Sequence, residues 1–382
     1  MKTQKLYETE SHLSEFTAEI IDRIDFKGKP CVILNRTAFF PEGGGQLCDT
    51  GFIGSARVSD VQIADGEILH FVDNIPEENE VKCKIDWDKR FRRMQNHSGE
   101  HIVSGIVHKL YGYDNVGFHM GEEITVDFSG ELSPAELERV EQLANEAVYK
   151  NVKITVYYPT PDELAELDYR SKLDLHEDVR IVNIDGYDNC ACCAPHVNRT
   201  GEVGIIKILD SMRHRGGTRI RLLCGFDALD DYKIKCENLN SVAVKLCAKV
   251  NETAEIFDKF FNENGLLKQK NAALQKELLK FKIDSYGEKC DEIIAFEDMD
   301  MQSMRTFALS SAKKTERFCA VFSPNANGYS FAVSSEKFDL RPLAKEIGKE
   351  LSGKGGGSGE LIQGSVNADR EQIQKFLKEV TL

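Results

Sequence analysis

The chain has 382 residues, 41% hydrophobic and 29% charged, with a formal net charge of -14; this length implies two or three domains rather than one. The acidic balance speaks against non-specific binding to nucleic acid or anionic lipid, though a local basic patch remains compatible with it. No apolar run approaches the roughly 20 residues of a membrane span, and the opening MKTQKLYETESHLSEF lacks the apolar core of a secretory signal, so a cytoplasmic protein without membrane contact is expected.

Residues 1–90 alternate short apolar runs with turns, and ARVSDVQIADGEILHFVD reads as two strands joined at Asp65-Gly66. KPCVILNRTAFFPEGGGQ reads as a buried strand entering a glycine-rich loop, so this segment is expected to be a small β-barrel. The period then changes. Phe91, Met94, His97, His101, Ile102 and Ile106 recur at three and four, which predicts a helix. A second helix is expected over SPAELERVEQLANEAVYKN, with Ser133 as cap, Pro134 at the first position and Glu136 as the capping-box acid. Strands are expected at ITVDF, VKITVYYP, VRIVNID, VGIIKILDSM and TRIRLLCG, with a short helix at DELAELD.

From 236 to 283 the pattern is one or two long helices. Phe257, Phe260, Leu267, Leu274, Leu278 and Phe281 lie on a seam near period 3.5, with Asn264 and Asn271 at a single heptad position. NENG at 262–265 is equally readable as a turn folding two helices into a hairpin. Residues 286–382 alternate strand and helix signals around GKGGGSGELIQGS and read as a small α/β domain.

Eleven cysteines is a large and odd number. In a reducing compartment they stay free, and a cluster suggests metal. Cys31, Cys48, Cys83, Cys224, Cys236, Cys247, Cys290 and Cys319 stand singly, and most of them are expected to be small buried hydrophobes. Cys190, Cys192 and Cys193 crowd just ahead of His196 in NCACCAPHVNRTG. His97 and His101, four apart on one helix, present their rings to one point, and Cys192 and His196 repeat that spacing. One thiolate and three imidazoles suit a tetrahedral Zn2+, one per chain. Cys190 and Cys193 compete for the ligand role; the C-x-x-x-H spacing favours Cys192. The letters H-S-G-E-H also fit the H-x-x-E-H pattern of inverted zinc peptidases, which would make Glu100 a general base. Those enzymes take a distant acidic ligand and keep an open position for water, whereas a Cys-His pair here is the better source of further ligands.

These motifs together resemble the alanyl-tRNA editing family: the free-standing AlaX proteins, here the long form, and the editing domain of alanyl-tRNA synthetase. The resemblance rests on His97-x-x-x-His101 with Cys192-x-x-x-His196, on RTAFFPEGGGQLCDTG (36–51), VGFHMGEEITVDF (116–128) and GGTRIRLLCG (216–225), and on the glycine-rich tail shared with DHH-type phosphoesterases. With no aminoacylation segment and no DHH motif, neither a synthetase nor such a phosphoesterase is expected. The family usually reads C-G-G-T-H-V where this chain has Cys192-Cys193-Ala194-Pro195-His196-Val197.

The resemblance implies an ester hydrolase acting in trans on mischarged tRNA(Ala), with serine the first expected amino acid and glycine the second. Two alternatives are a tRNA-binding protein with structural zinc and no turnover, and the zinc peptidase. The candidate catalytic residues are Gln46, Thr37 and Glu100. Gly43, Gly44 and Gly45 would let backbone N–H groups approach the substrate, and Arg92, Arg93, Arg219 and Arg221, with Lys89, Arg90, Arg213 and Arg215 beside them, would meet tRNA phosphates. Lys354 in the GKGGGSG loop is a further tRNA contact, and the helical region or C-terminal domain could support a homodimer. The expected fold class is α+β: an N-terminal β-barrel (1–90), a central α/β zinc-containing editing domain (91–232), a long helical connector (233–285) and a small glycine-rich α/β domain (286–382).

Overall fold

The computed structural model describes residues 3–121, 123–171, 179–286 and 290–380. The chain divides into two compact units, Met1–Ser241 and Val242–Leu382, and is mixed α and β.

The first unit begins with β1 (Gln4–Lys5), β2 (Glu15–Phe26), β3 (Lys29–Leu34), β4 (Arg36–Thr37), β5 (Gly51–Ile53), β6 (Ala56–Ala64), β7 (Glu67–Val72) and β8 (Glu80–Ile85). β1 and β4 pair in parallel, while the other six strands close into a barrel in the order β2-β3-β7-β6-β5-β8. Strand β8 shows why: EVKCKI alternates exposed and buried, so Val81, Cys83 and Ile85 enter one core with Val32, Leu34, Ile53, Val58, Phe39 and Phe40. Asp65 and Gly66 join β6 to β7 with φ of +51° and +81°, the left-handed pair a two-residue hairpin requires.

His70 lies fully buried in this barrel. Its Nδ1–H donates to Val32 O at 3.1 Å and its Nε2 accepts from the Thr37 hydroxyl at 2.8 Å. Burial outweighs the Val32 contact and pushes its pKa down to about 4. The unfolded chain, with His near 6.5, therefore binds the extra proton between about pH 6.5 and 4. Stability contributed by neutral His70 is full above that window and lost as pH falls through it. From pH 7.5 to 5 the loss should be about 2 kcal/mol. Urea unfolding without metal should show that His70→Gln loses less than the parent over this interval by that amount; equal losses would contradict it.

Beyond the barrel, α1 (Trp87–Tyr111) runs until Gly112 closes it with φ +69°. Then follow β9 (Asn115–Met120), β10 (Ile124–Phe128), α2 (Pro134–Lys150), β11 (Ile154–Tyr157), α3 (Pro161–Glu166), β12 (Ile181–Ile184), β13 (Asp188–Ala191), β14 (Ile206–His214) and β15 (Gly217–Cys224). The strands form two sheets, β14-β15-β10-β9 and β11-β12-β13. Ser133 caps α2 with Glu136 in a reciprocal capping box. One core gathers α1 (Met94, Ile102, Ile106), α2 (Leu137, Val140, Ala144) and sheet residues such as Val126, Val182, Ile220 and Leu222. No helix among the described residues is long and apolar enough to cross a membrane.

Helix α4 (Gly225–Lys245) carries the chain across the unit boundary, and α5 (Thr253–Ser285) follows. The hairpin reading of NENG is corrected: α5 runs unbroken through Asn262–Gly265. One interior glycine costs about 1 kcal/mol relative to alanine, too little to break a long helix. Phe257, Phe260, Leu267, Leu274, Leu278 and Phe281 are all exposed on it. The second unit is completed by β16 (Cys290–Phe296), α6 (Met301–Ala312), β17 (Thr315–Asn325), β18 (Gly328–Ser334), α7 (Arg341–Glu350), β19 (Lys354–Gly357), β20 (Leu361–Val366) and α8 (Arg370–Glu379). Its sheet, ordered β16-β17-β18-β20-β19, buries one face against α6 and Leu279 and the other against α7 and α8.

Candidate metal centre

Four side chains far apart in sequence meet in the first unit. Donor atoms of His97, His101, Cys192 and His196 all lie within 4.8 Å of one another. The 97/101 spacing puts two rings one helical turn apart on the buried face of α1, with centroids 5.3 Å apart. The His196 ring stands 4.8 Å from that of His97 and 4.5 Å from that of His101.

The tautomers follow from the outer contacts. His97 Nδ1–H donates to Gln46 Oε1 at 2.9 Å, and His101 Nδ1–H donates to Asp188 Oδ2 at 2.9 Å. His196 Nδ1 meets Ser98 Oγ at 3.0 Å, and that oxygen also accepts from Val197 N–H at 3.2 Å. Each ring is thus held at Nδ1, leaving Nε2 as the free donor, as in metal sites generally. Cys192 Sγ lies 3.6 Å from His97 Nε2 and 3.4 Å from His196 Nε2. A tetrahedral zinc with bonds of about 2.3 Å to sulfur and about 2.0–2.1 Å to nitrogen would set such atoms about 3.5 Å apart. The residues therefore fit the ion in donor chemistry, tautomer and spacing.

Without an ion the cluster holds protons in its place: against burial, the charge of Cys190 and the bonds to Asp188 and Cys192 keep His101 well above the ordinary imidazole range, so a metal has to displace its Nε2 proton. In that ion-free state burial would raise the Cys192 thiol, but the charge of His97 and contacts with His101 and His196 outweigh it and hold the thiol well below the ordinary range. Burial and repulsion from His101 push His196 down to about 3, keeping it a neutral imidazole. Cys190 and Cys193 behave differently, since burial raises each thiol to about 11. Cys193 is exposed as a residue, yet its sulfur packs where side chains on Gly43 and Gly44 would touch it. Cys190 also lies close to His101 and Asp188. Asp188, however, gives its oxygens to His101 and to Arg170 Nε and Nη2 at 2.7 and 2.9 Å, so it braces a candidate ligand. Burial would raise the Asp188 carboxyl, and the bonds from His101 and Arg170 override this and keep it ionised. Asp188→Asn should weaken zinc binding about 10–100-fold, read by competition with a chromophoric chelator; unchanged affinity would remove Asp188 from this role.

The Cys192–His196 loop is fixed from below. Arg180 Nη1 donates to Cys192 O at 2.6 Å and to Ala194 O at 2.9 Å, and Ala194 N–H donates to Cys192 Sγ at 3.4 Å. The Ala194 side chain is fully buried in the barrel core, which ties the departure from C-G-G-T-H-V to packing.

The other anticipated residues divide. Gln46 joins the centre through His97, and its Nε2 is buried without a hydrogen-bond partner among the described residues. Gly43 to Gln46 form a tight turn closed by Gly43 N–H to Gln46 O (3.1 Å) and Gln46 N–H to Gly43 O (3.0 Å). Glu100 is buried, accepts from Ser104 and Asn115, and its other oxygen lies 4.0 Å from His101 Nε2. Thr37 stays in the barrel, its hydroxyl bonded to His70 and to Phe39 N–H. The arginine stripe is not free. Arg92 pairs with Asp227 and Asp230, Arg219 with Asp127, and Arg221 with Asp210 and Glu123. Arg90 is buried against Asp49, Arg93 donates to Cys48 O, Lys89 pairs with Asp86, and Arg213 with Glu131. Clustering along the sequence could not reveal carboxylates supplied by distant segments. Ser98, Asp188, Arg170 and Arg180 were not anticipated; the usable signal was that a ligating histidine needs an acceptor at its second nitrogen.

Three family models match the chain: the threonyl and alanyl tRNA synthetase second additional domain over 179–221, tRNA synthetases class II (A) over 4–89, and the DHHA1 domain over 291–382. The alanyl-tRNA editing protein AlaX-L of Pyrococcus horikoshii is 31% identical, covering 97% of this chain and 96% of its own. The alanyl-tRNA editing protein Aarsd1 of Danio rerio is 29% identical over 91% of this chain and 88% of its own. An alanine–tRNA ligase of Methanopyrus kandleri is 30% identical over 94% of this chain, which spans only 42% of that enzyme.

Proposed function

The chain belongs to the alanyl-tRNA editing protein family, and from that premise we propose that it hydrolyses the ester joining a wrong amino acid to tRNA(Ala), serine first and glycine second. The observation that carries this reading is the convergence of the His3Cys cluster and the glycine turn on Gln46, which braces His97 with its oxygen and holds a buried N–H group unpaired among the described residues. A synthetase pocket rejects an added hydroxyl poorly, so a second site must remove the error. A pocket donor that pairs with the serine side chain would be left unpaired by alanine, which disfavours the correct ester.

In this reading His97, His101, Cys192 and His196 hold one zinc. With four protein donors its sphere is filled, so when bound it would supply a fixed positive charge that orders the loop at 192–196. Gln46 Nε2 meets the aminoacyl group, and the turn at 43–45 brings the backbone close to it. Glu100 is a fixed anion beside His101, suited to the substrate's ammonium group. A cytoplasmic site of action accompanies this substrate.

Release of serine from Ser-tRNA(Ala) beside Ala-tRNA(Ala), with and without a strong zinc chelator, tests the proposal. Chelator-sensitive loss of the serine ester with the alanine ester spared is expected. No hydrolysis of either by zinc-loaded protein would leave the tRNA-binding alternative in its place.

The four-part division at 90, 232 and 285 belongs to the same proposal, as does a homodimer through α5. Its exposed seam places Asn264 and Asn271 at one heptad position, where buried amides select register. Sedimentation equilibrium should give a dimer that Leu267→Glu with Leu274→Glu reduces to a monomer; a monomeric parent chain would refute it.

A further inference from the structure

Helix α1 and the loop that carries Gln46 are joined at three successive rungs. Positions 90, 93 and 97 lie on one helical face, and they engage loop residues 49, 48 and 46 in reverse order. Arg90 Nε meets Asp49 Oδ1 and Oδ2, each at 2.9 Å, and Arg90 Nη2 donates to Asp49 and to Ala38 O. Arg93 Nη1 donates to the carbonyl of Cys48. His97 Nδ1–H donates to Gln46 Oε1. The loop is closed on itself at the same place: Phe40 N–H donates to Asp49 Oδ2 at 2.7 Å, and Asp49 N–H donates to Phe40 O at 2.9 Å.

The first rung is costly to build. Arg90 is 0% and Asp49 1% exposed. Replacing such a pair with apolar residues is often neutral or stabilising, so its worth is to be sought in specificity rather than in net stability. A planar guanidinium that engages a carboxylate and a carbonyl together fixes direction as well as distance. What it fixes here is the register of the 38–49 loop along α1. The second rung repeats the setting one turn nearer the metal cluster. Among the described residues Arg93 has no carboxylate partner, and its guanidinium donates to Cys48 O.

We propose that Arg90 and Arg93 are positioning residues, which hold the glycine loop in register on α1 so that Gln46 meets His97 with its oxygen and presents its N–H group to the site. They act through Gln46 and His97 and touch neither substrate nor metal. A displaced loop would loosen the His97 ring and misaim the amide together.

The test uses the full chain. Arg90→Met leaves the buried Asp49 without its cation, a change that can by itself unfold the barrel. Arg93→Met keeps the aliphatic stem at a half-buried site and is the decisive variant, with Arg93→Lys as the conservative partner. For Arg93→Met, kcat on Ser-tRNA(Ala) should fall on the order of 10-fold with KM within about twofold, as for a misaligned group. Zinc affinity, read by chelator competition, should fall about 10-fold through His97, and the amides of 43–49 should exchange with solvent about 10-fold faster at unchanged thermal midpoint. Arg93→Lys should restore most of each. Unchanged values would overturn the proposal. So would a raised KM and a shallower salt dependence at unaltered kcat, which would mark Arg93 as a phosphate contact. The kinetic arm rests on the proposed hydrolysis. If the parent chain does not turn over, that reading falls, while zinc affinity and amide exchange still decide the positioning role.

Discussion

Cys192→Ser should abolish the proposed zinc binding. Cys192 supplies the one anionic donor of the four, and its sulfur sits 3.4 to 3.6 Å from the Nε2 atoms of His196 and His97. Its thiol is held well below the usual range by His97, His101 and His196 against the cost of burial. A serine hydroxyl does not ionise in that setting and offers a hard neutral oxygen to a site built for a softer donor. Neither neighbouring cysteine belongs to the four-donor cluster: Cys190 lies beside His101 and Asp188, and Cys193 packs beside Gly43 and Gly44. After dialysis against a chelator the parent protein should keep about one zinc and the variant less than about one tenth, a loss greater than the 10–100-fold that removal of an outer partner causes. Cys190→Ser and Cys193→Ser should keep their metal. The parent's thermal midpoint should rise with added zinc and the variant's should not, since an ion stabilises only the state that binds it. Full metal retention by Cys192→Ser, or its loss from Cys193→Ser, would require another ligand set.

What the sequence revealed of this centre was what local periodicity carries. His97 and His101 share a helical face because the helix has 3.6 residues per turn, and the apolar residues around them report that period. The Asp65-Gly66 hairpin and the Ser133–Glu136 capping box were legible for the same reason, since each is complete within four residues. What supports the ligands was not legible. Gln46 and Asp188 reach His97 and His101 from 51 and 87 residues away, and no periodicity relates them. The partners of the arginines were not legible either. Arg219 and Arg221 looked like a phosphate surface, but β15 pairs with β10, which sets Arg219 opposite Asp127, and Arg221 meets Asp210 on β14. Charge along a strand says nothing of the strand beside it. The asparagines of α5 and its Gly265 were ambiguous because turn-forming residues are also tolerated singly in a long helix, and length decided.

Gly45→Ala should disable the site while Gly44→Ala leaves most of it working. Both glycines have left-handed backbone, with φ of +84° and +60°, so each substitution carries a conformational cost of about 1–2 kcal/mol. The space around them differs. A Cβ on Gly44 would meet only Cys193 Sγ at 3.7 Å, an ordinary contact. A Cβ on Gly45 would lie 2.5 Å from Phe118 O and 2.9 Å from Phe118 Cδ1, so the turn or β9 has to move. The two are also tied directly, because Met120 N–H donates to Gly45 O at 3.1 Å. Gln46 follows Gly45 immediately, and its Oε1 is what holds His97, so any shift of the turn reaches the metal cluster. Gly45→Ala should lose on the order of 100-fold in kcat, the scale of a displacement near 1 Å, and about 2–4 kcal/mol in stability. Gly44→Ala should lose about 1 kcal/mol and only a few-fold in kcat. Paired single-turnover deacylation and urea unfolding would read both effects. If the two variants behaved alike, the close approach of the turn to Phe118 would not govern where Gln46 sits, and the glycines would serve backbone conformation alone.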